Sequence, residues 1–227
     1  PKTYIGSGKM EEVEARFGCP LIELWGMTEL GGLGTTFASN GPVKHGSIGV
    51  ALPYTQARIT DAEDAKKSLP AGEVGELMIR GGIVMQGYYG NEKATRETIE
   101  PDGWLHTGDL ASMDEDGCVF IVDRKKDMIL TAGYNVYPAE IERVVAGHQD
   151  VALVAVGSIP DAEKGELAKA YIVPKVGVTP SAQAIVDYCR EHLAAYKVPR
   201  AVQFVDDLPK TSTGKVMRRE LRTLDEH

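Results

Sequence analysis

The segment DRKKDMILTAGYNVYPAEIE, residues 123–142, separates two parts of the chain that differ in sequence pattern. Before it, from Gly46 to Asp123, short Val/Ile runs are broken by Gly, Pro, Asn and Asp, which is typical of antiparallel strands joined by tight turns. After it, YPAEIERVVAGH has Pro138 where a helix would begin and apolar residues along one helical face. The pattern therefore predicts a domain boundary after Asp123.

The charge balance changes at the same place. Residues 1–123 contain ten Lys/Arg and nineteen Asp/Glu, whereas residues 124–227 contain fifteen and fourteen, so the net charge goes from −9 to +1. We expect residues 1–123 to include a mainly antiparallel β subdomain at about 44–123, and residues 124–227 to form a compact α+β domain. The fold class expected for the whole chain is mixed, α/β and α+β.

Shorter patterns predict individual elements. MEEVEARFG predicts a helix that ends at Gly18, and PLIELWG predicts a short strand. In the second part, VALVAVG, AKAYIVP and AVQFV predict strands, and SAQAIVDYCREHL predicts a helix with Ser181 as its N-cap. The last segment, GKVMRRELRTL, predicts a closing helix with its apolar side chains facing inward.

Composition excludes several function classes. The net charge of −8 argues against nucleic acid or an anionic membrane as the main partner. We expect no integral membrane contact, because the sequence has no long apolar run. The three cysteines, Cys19, Cys118 and Cys189, are far apart and have neither metal-ligand nor disulfide spacing. These features predict a protein of the reducing cytoplasm.

PKTSTGK, residues 209–215, resembles part of a phosphate-binding loop. The Walker A pattern also needs a Gly five residues before its Gly-Lys pair and a Ser or Thr after the Lys, but the chain has Pro209 and Val216 there. Lys215 is then either a surface lysine or a charge that a flexible loop brings to a phosphate. A cation at a helix start opposes the helix dipole, which favours the second interpretation.

Two further motifs contain candidate ligands. In WGMTE, Thr28 and Glu29 could cap a helix, or they could offer a hydroxyl to a phosphate and a carboxylate to Mg²⁺. In WLHTGD, Asp109 could be a turn residue after Gly108, or it could accept hydrogen bonds from two ribose hydroxyls. We expect His106 to be structural or exposed, because no nucleophile is paired with it.

Four segments occur together in the chain, in the order WGMTE, WLHTGD, residues 123–142 and PKTSTGK. They resemble the motifs of the adenylate-forming superfamily, which includes acyl-CoA synthetases, luciferases and the adenylation domains of peptide synthetases. The resemblance covers essentially the whole chain and is closest to the AMP-forming acyl-CoA synthetases. It implies the C-terminal half of such an enzyme. That half comprises the remainder of a large N-terminal domain and a small mobile C-terminal domain, joined by a hinge at Asp123 and Lys126.

The resemblance also implies a role for each candidate residue. The enzyme would use ATP, Mg²⁺ and coenzyme A to convert a small-molecule carboxylic acid to an acyl-adenylate and then to a thioester. Lys215 would bridge the attacking carboxylate and the α-phosphate, and in some relatives acetylation of the matching lysine switches the enzyme off. The other roles are phosphate contact for Thr28, Mg²⁺ binding for Glu29, adenine contact for Trp25 and Gly26, ribose and nucleotide contact for Asp109, Ile121 and Arg124, and the pantetheine path for Gly133.

The match is incomplete in two places. The front half of the family, which has a Ser/Thr/Gly-rich phosphate loop and most of the acid-binding pocket, is absent. The family's glycine-alanine-proline segment, expected before the helix that precedes WGMTE, looks several residues short, since GSGK runs straight into MEEVEARFG. We therefore expect this chain to be inactive alone.

Two alternatives stay open. One is an adenylating enzyme that loads a separate carrier protein instead of coenzyme A. The other is a non-catalytic module that binds a nucleotide or a protein partner, including a second copy of itself as a homodimer. A lysine acetyltransferase and a deacetylase acting on Lys215 are further expected partners.

Overall fold

The computed structural model describes residues 7–38, 41–212 and 214–226. These residues form two compact units, one ending at Lys125 and the other beginning at Lys126. From the sequence, the boundary was placed two residues earlier, after Asp123. The mixed fold class and the antiparallel character of the β subdomain are confirmed.

The first unit contains two antiparallel sheets. A three-stranded sheet has the order β1-β2-β3, and a four-stranded sheet has the order β4-β5-β6-β7. The helices and strands are α1 (Ser7–Phe17), β1 (Leu24–Trp25), β2 (Thr35–Thr36), β3 (Val50–Ala51), β4 (Thr55–Thr60), β5 (Gly75–Gly81), α2 (Glu92–Thr98), β6 (Leu105–Met113) and β7 (Val119–Arg124), with a 3₁₀ turn at Thr28–Leu30. A second 3₁₀ turn, Lys125–Asp127, spans the boundary between the two units.

The core of this unit lies around β5. Leu77, Met78 and Ile79 are consecutive and all fully buried, so β5 is covered on both faces, as expected of a central strand. Side chains of β6 and β7 complete the core together with Leu30 from the first 3₁₀ turn. The site residues of β6 and β7 are thus fixed on the best-packed part of the unit.

The second unit is an α+β domain with a five-stranded sheet. Its strands have the order β10-β11-β8-β9, and β12 pairs in parallel with β11. The elements are β8 (Ile129–Thr131), β9 (Tyr134–Val136), α3 (Pro138–Ala146), β10 (Val151–Asp161), β11 (Gly165–Pro174), α4 (Ala182–His192), β12 (Ala201–Phe204) and a 3₁₀ segment at Arg218–Glu226. Ile141 and Val145 of α3 pack with Ile185 and Cys189 of α4 in the main core of this unit.

Local sequence patterns predicted the end of α1 and the start of α4, but they did not predict the length or type of every element. Gly18 follows α1 with a left-handed φ of 68°, and the Ser181 hydroxyl accepts a hydrogen bond from the Ala184 N–H at the start of α4. Of the predicted strand PLIELWG, only Leu24 and Trp25 form a strand, β1. The predicted closing helix is wrong in type, because Arg218–Glu226 forms 3₁₀ turns, although its Leu221 is buried as expected.

Membrane-spanning segments were searched for among the described residues. Of the helices they form, none is both long enough and apolar enough to cross a bilayer.

Candidate functional site

Asp109 is at the centre of the best-defined polar site of the first unit. The Trp25 Nε1–H donates a hydrogen bond of 2.9 Å to Asp109 Oδ2, and Arg124 Nε lies 2.6 Å from Asp109 Oδ1. Asp109 and Arg124 are paired across β6 and β7, and Asp109 is only 3% exposed. The interpretation of Asp109 as a turn residue is therefore wrong, since a strand holds its carboxylate in the protein.

One oxygen of this carboxylate is unusual. Asp109 Oδ1 is buried and accepts no hydrogen bond from the part of the chain that the structure describes, although it contacts Arg124. The two observations agree if the Arg124 contact is electrostatic and lacks the direction of a hydrogen bond. Buried carboxylate oxygens normally accept hydrogen bonds, so an oxygen with spare capacity suits a ligand donor such as a hydroxyl.

The Gly-rich loop around Thr28 and Glu29 is folded tightly on itself. A Cβ atom on Gly26 would lie 1.6 Å from the Gly32 carbonyl oxygen, so only glycine fits there. Thr28 is exposed and Glu29 is half-buried in the 3₁₀ turn, and Met27 is the N-cap residue. The prediction that Thr28 and Glu29 cap a helix is therefore wrong, and both side chains remain candidates for ligand contact.

Tyr88 is a partner of Glu29 that sequence reasoning missed. Its hydroxyl donates a hydrogen bond of 2.8 Å to Glu29 Oε1, and the Met85 N–H donates to the Glu29 carbonyl oxygen. The hydrogen bond to Glu29 raises the pKa of Tyr88, and partial burial adds to this effect. The two residues are 59 positions apart, so no local pattern could have linked them.

Glu76 and His106 form a second polar cluster beside Asp109. Glu76 is 2% exposed and contacts His106 and Lys125. The prediction that His106 is structural or exposed stays open, because its ring is partly buried between two carboxylates. Glu76 was missed because the apolar segment GELMIRG does not reveal which way its one acidic residue faces.

Ile121 and Asp123 have structural surroundings on β7. The Ile121 side chain packs against the core of the first unit, and its binding role stays a prediction. Asp123 is buried, and its Oδ1 accepts a hydrogen bond from the Arg124 N–H. The charged run at residues 123–127 begins inside β7, and Lys126 is the exposed residue of the run.

Lys215 lies in a tight loop of the second unit. The Thr211 N–H donates to the Lys215 carbonyl oxygen, and the Lys215 N–H donates to Thr211 Oγ1 at 3.1 Å. Lys210 and Val216 form an isolated bridge at the base of this loop, and Gly214 has a left-handed φ of 81°. Lys215 is exposed, and among residues 7–38, 41–212 and 214–226 it has no ion-pair partner.

Gly133 is in the turn between β8 and β9. Ala132 and Gly133 both have positive φ, 50° and 81°, which is the conformation of a two-residue hairpin turn. The space around the Gly133 Cα is open. Next to it, the half-exposed ring of Tyr134 stacks on Tyr196 with 4.7 Å between ring centroids.

Magnesium binding was predicted for Glu29. No group of three or more His, Cys, Asp or Glu side chains that could hold a metal is found within the described part of the chain. Mg²⁺ keeps most of its waters and takes one or two protein carboxylates plus substrate phosphates. The half-buried carboxylate of Glu29 fits that requirement as a single ligand.

Comparison with known proteins gives the same assignment over most of the chain. Residues 5–89 match the family model of the AMP-binding enzymes, and residues 140–215 match that of the AMP-binding enzyme C-terminal domain. The long-chain-fatty-acid–CoA ligase of Salmonella typhimurium is 46% identical over 202 residues, which is 89% of this chain and 35% of that protein. The chain therefore spans about a third of the length of the curated relatives it matches.

Solved structures agree in fold. ATP-bound MatB from Rhodopseudomonas palustris matches with a TM-score of 0.88 and 36% identity, over 96% of this chain and 43% of that one. The o-succinylbenzoate CoA synthetase MenE of Bacillus subtilis, in complex with an acyl-adenylate intermediate, matches with a TM-score of 0.83 and 34% identity, over 95% and 43%. With the two family models and the Asp109 site, these matches identify the chain as a member of the adenylate-forming superfamily of AMP-binding enzymes.

Proposed function

We propose that the protein acts as an AMP-forming acyl-CoA synthetase, which activates a carboxylic acid with ATP and transfers the acyl group to coenzyme A. The observation on which this rests is the buried Asp109 carboxylate, which is held by Trp25 and Arg124. Its Oδ1 is paired electrostatically with Arg124 and accepts no hydrogen bond from the described residues. Ribose hydroxyls are suitable donors for such an oxygen. A buried charged acceptor that lacks a well-aligned hydrogen-bond donor favours ligands that supply one over ligands that do not.

The remaining nucleotide contacts are proposed for the first unit. The indole of Trp25 and the backbone at Gly26 would line the adenine, and Thr28 would donate its hydroxyl to a phosphate oxygen. Glu29 would hold Mg²⁺, which neutralises phosphate charge when it is bound. Tyr88 would orient the Glu29 carboxylate through the hydrogen bond described above.

In the first half-reaction, the substrate carboxylate oxygen attacks the α-phosphorus of ATP. The new O–P bond gives the acyl-adenylate, and the bond to pyrophosphate breaks. Two anionic groups must approach each other, so a cation at that point lowers the barrier. Lys215 is suited to this task, because its ammonium group is exposed and has no ion-pair partner within the described residues.

In the second half-reaction, the thiol sulfur of coenzyme A attacks the acyl carbonyl carbon and AMP leaves. We place the pantetheine path at the turn around Gly133, and we place the hinge that exchanges the two half-reactions at Lys126. Coenzyme A is favoured over a carrier protein as acceptor, because the Salmonella typhimurium relative is named as a CoA ligase.

The test separates the two half-reactions in the complete protein. We expect Lys215→Ala to lower ATP–pyrophosphate exchange by about 100- to 1,000-fold, the cost of removing one charge-stabilising group. The same variant should still convert a supplied acyl-adenylate and coenzyme A to thioester at close to the wild-type rate. A panel of straight-chain and aromatic carboxylic acids serves as substrate, and the acyl-adenylate is made from the best of them.

Lys175→Ala is the matched control, because Lys175 is an exposed lysine of the same unit outside the proposed site. It should leave both half-reactions unchanged. An equal loss of both half-reactions in Lys215→Ala would mean that the catalytic role is assigned to the wrong residue.

We also propose that the protein is cytoplasmic, that Lys215 is acetylated, and that the protein forms a homodimer. All three cysteines are free, which suits the reducing cytoplasm. The exposed ammonium group of Lys215 suits an acetyltransferase and a deacetylase as regulatory partners, since acetylation would remove its charge. Mass spectrometry of the protein from its own cells tests this modification, and analytical ultracentrifugation tests the homodimer.

A further inference from the structure

Glu76 is a charged residue near the start of the most buried strand of the first unit. It lies on β5 next to Leu77, Met78 and Ile79, and it is 2% exposed. A buried carboxylate is costly unless it is paired and hydrogen-bonded. The partners of Glu76 therefore indicate why the chain tolerates it there.

Three groups hold the two oxygens of Glu76. The Gly108 N–H donates to Oε1 at 3.2 Å, while His106 Nδ1 lies 3.1 Å and Lys125 Nζ 3.0 Å from Oε2. The second ring nitrogen of His106 lies 3.0 Å from Glu100 Oε1. His106 thus bridges a buried and a half-exposed carboxylate, an arrangement in which a doubly protonated ring donates in both directions.

Two contacts of Glu76 are sequence neighbours of the two charged residues of the Asp109 site. Gly108, which has a left-handed φ of 68°, precedes Asp109, and Lys125 follows Arg124. Thr107 continues the link, because its hydroxyl donates to the Leu77 carbonyl oxygen and accepts from the Asp109 N–H. Glu76 therefore binds both the segment that contains Asp109, on β6, and the residue that follows Arg124, at the end of β7.

We infer that Glu76 is a positioning residue for Asp109. Glu76 holds the segment at residues 106–109 against the end of β7, and it needs a protonated His106 to do so. This inference rests on the proposed function, because it takes Asp109 as the ribose acceptor. It assigns to Glu76 and His106 a role in nucleotide affinity that neither exerts by touching the nucleotide.

The inference predicts a pH dependence with a definite sign. The hydrogen bond to Glu76 raises the pKa of His106 above its ordinary 6.5; burial opposes this, and Glu100 adds to it. Burial would raise the pKa of Glu76, but the hydrogen bonds from His106 and Lys125 outweigh burial and lower it below 4.5. The contribution of His106 is therefore complete below pH 6.5 and is lost as the pH rises through its raised pKa.

Other charges face the cluster across a polar cavity of about 290 Å³. Glu63, Asp64 and Lys66 line it from the loop between β4 and β5, together with Glu100 and Lys125. Of these groups, Glu100 contacts His106 and favours its charged form. The cavity also lets water reach the ring, so that its proton can exchange.

Adenosine is the probe, measured by calorimetry on the complete protein from pH 5.5 to 9. It carries the ribose without the phosphate of AMP, whose own titration near pH 6 would obscure that of His106. We expect wild-type affinity to fall about tenfold on the alkaline side, the equivalent of one hydrogen bond to a charged group. His106→Gln should bind weakly with no dependence on pH.

Glu76→Gln should weaken adenosine binding by about tenfold and should lower the pKa of His106, read from its ring signals in NMR spectra. Glu73→Gln, an exposed carboxylate of the same region, is the matched control and should change neither quantity. If Glu76→Gln does not fold, His106→Gln alone decides. Wild-type binding that is independent of pH, or unaltered binding by either variant, would overturn the inference.

Asp109→Asn separates this inference from the proposed function. If wild-type protein does not bind adenosine, or if Asp109→Asn binds as well as wild type, the ribose site itself is wrong. If Asp109→Asn weakens binding while Glu76→Gln and His106→Gln do not, the ribose site stands and the positioning role fails.

Discussion

At the scale of single residues, the Trp25–Asp109 hydrogen bond joins segments that are 84 positions apart. We predict that Trp25→Phe lowers the free energy of unfolding by about 1–3 kcal/mol, because a buried charged acceptor loses a donor while most of the ring packing is kept. Urea unfolding of the complete protein measures this change.

A double-mutant cycle with Asp109→Asn distinguishes the hydrogen bond from packing of the ring. The ring of Trp25 lies over Gly34, where an added Cβ would come within 2.6 Å of it. If the bond is responsible, the cost of Trp25→Phe should shrink to less than half in the Asp109→Asn background. An unchanged cost would assign it to packing.

The sequence predicts candidate site residues but not the long-range contacts that they make. Asp109, Glu29 and Thr28 were identified because their motifs occur in a fixed order. The partnerships of Glu29 with Tyr88 and of Glu76 with His106 depend on how distant strands and loops pair. Hydrophobic periodicity determines which face of a strand is buried, but it does not indicate which charged group meets another across the sheet.

At the scale of elements, the 3₁₀ segment that follows Lys215 is fixed to the rest of its unit by Arg218. The guanidinium group donates to both carboxylate oxygens of Glu142 on α3, at 3.1 and 2.6 Å, and to Asp127 at 3.1 Å. Glu142 also accepts a hydrogen bond from the Val156 N–H of β10. Arg218 thus links the Lys215 loop to the helix and the sheet.

We predict that Arg218→Ala lowers the free energy of unfolding by about 1–3 kcal/mol, because it leaves two partly buried carboxylates without their common donor. Chemical denaturation measures the change. Arg219→Ala is the control, because the neighbouring Arg219 is largely exposed and forms an ion pair with the adjacent Glu220. Its effect should stay within about 0.5 kcal/mol. Equal effects of the two substitutions would exclude a special role for Arg218.

Helices that have both a start signal and an apolar face were predicted correctly, whereas α2 and the last segment were not. α4 has its Ser181 cap, and α3 begins at Pro138 as expected. α2 was missed although Asn91 caps it by accepting from the Ala94 N–H, because this short helix buries no residue and so lacks an apolar face. The last segment has helical periodicity, but its 3₁₀ turns place Leu221 against Tyr171 and Leu208.

At the scale of the whole molecule, the two units have separate cores. The core of the second unit is formed entirely by residues from Ile129 onward, and all five strands of its sheet lie in the same range. A second cluster, which includes the buried Tyr171 and Leu221, closes the other side of this sheet. The Tyr171 hydroxyl donates to Asp225 at 3.0 Å, so even the last described turns are attached within the unit.

We therefore predict that residues 126–227 fold when expressed alone. A domain of about one hundred residues with its own core normally unfolds in one cooperative transition. The amide NMR spectrum of this fragment should be well dispersed. Its thermal transitions, followed by near- and far-ultraviolet circular dichroism, should coincide. Tyr171→Phe, which removes the hydroxyl bonded to Asp225, should lower the melting temperature by a few degrees and leave the transition cooperative.

Two results would contradict this expectation. One is a poorly dispersed NMR spectrum, and the other is a near-ultraviolet circular dichroism signal that is lost at a lower temperature than the far-ultraviolet signal. Either result would mean that the second unit needs residues before Lys126 for its packing. Refolding in the presence of the separately expressed first unit then distinguishes a missing contact from a missing core, because only a missing contact can be restored by association.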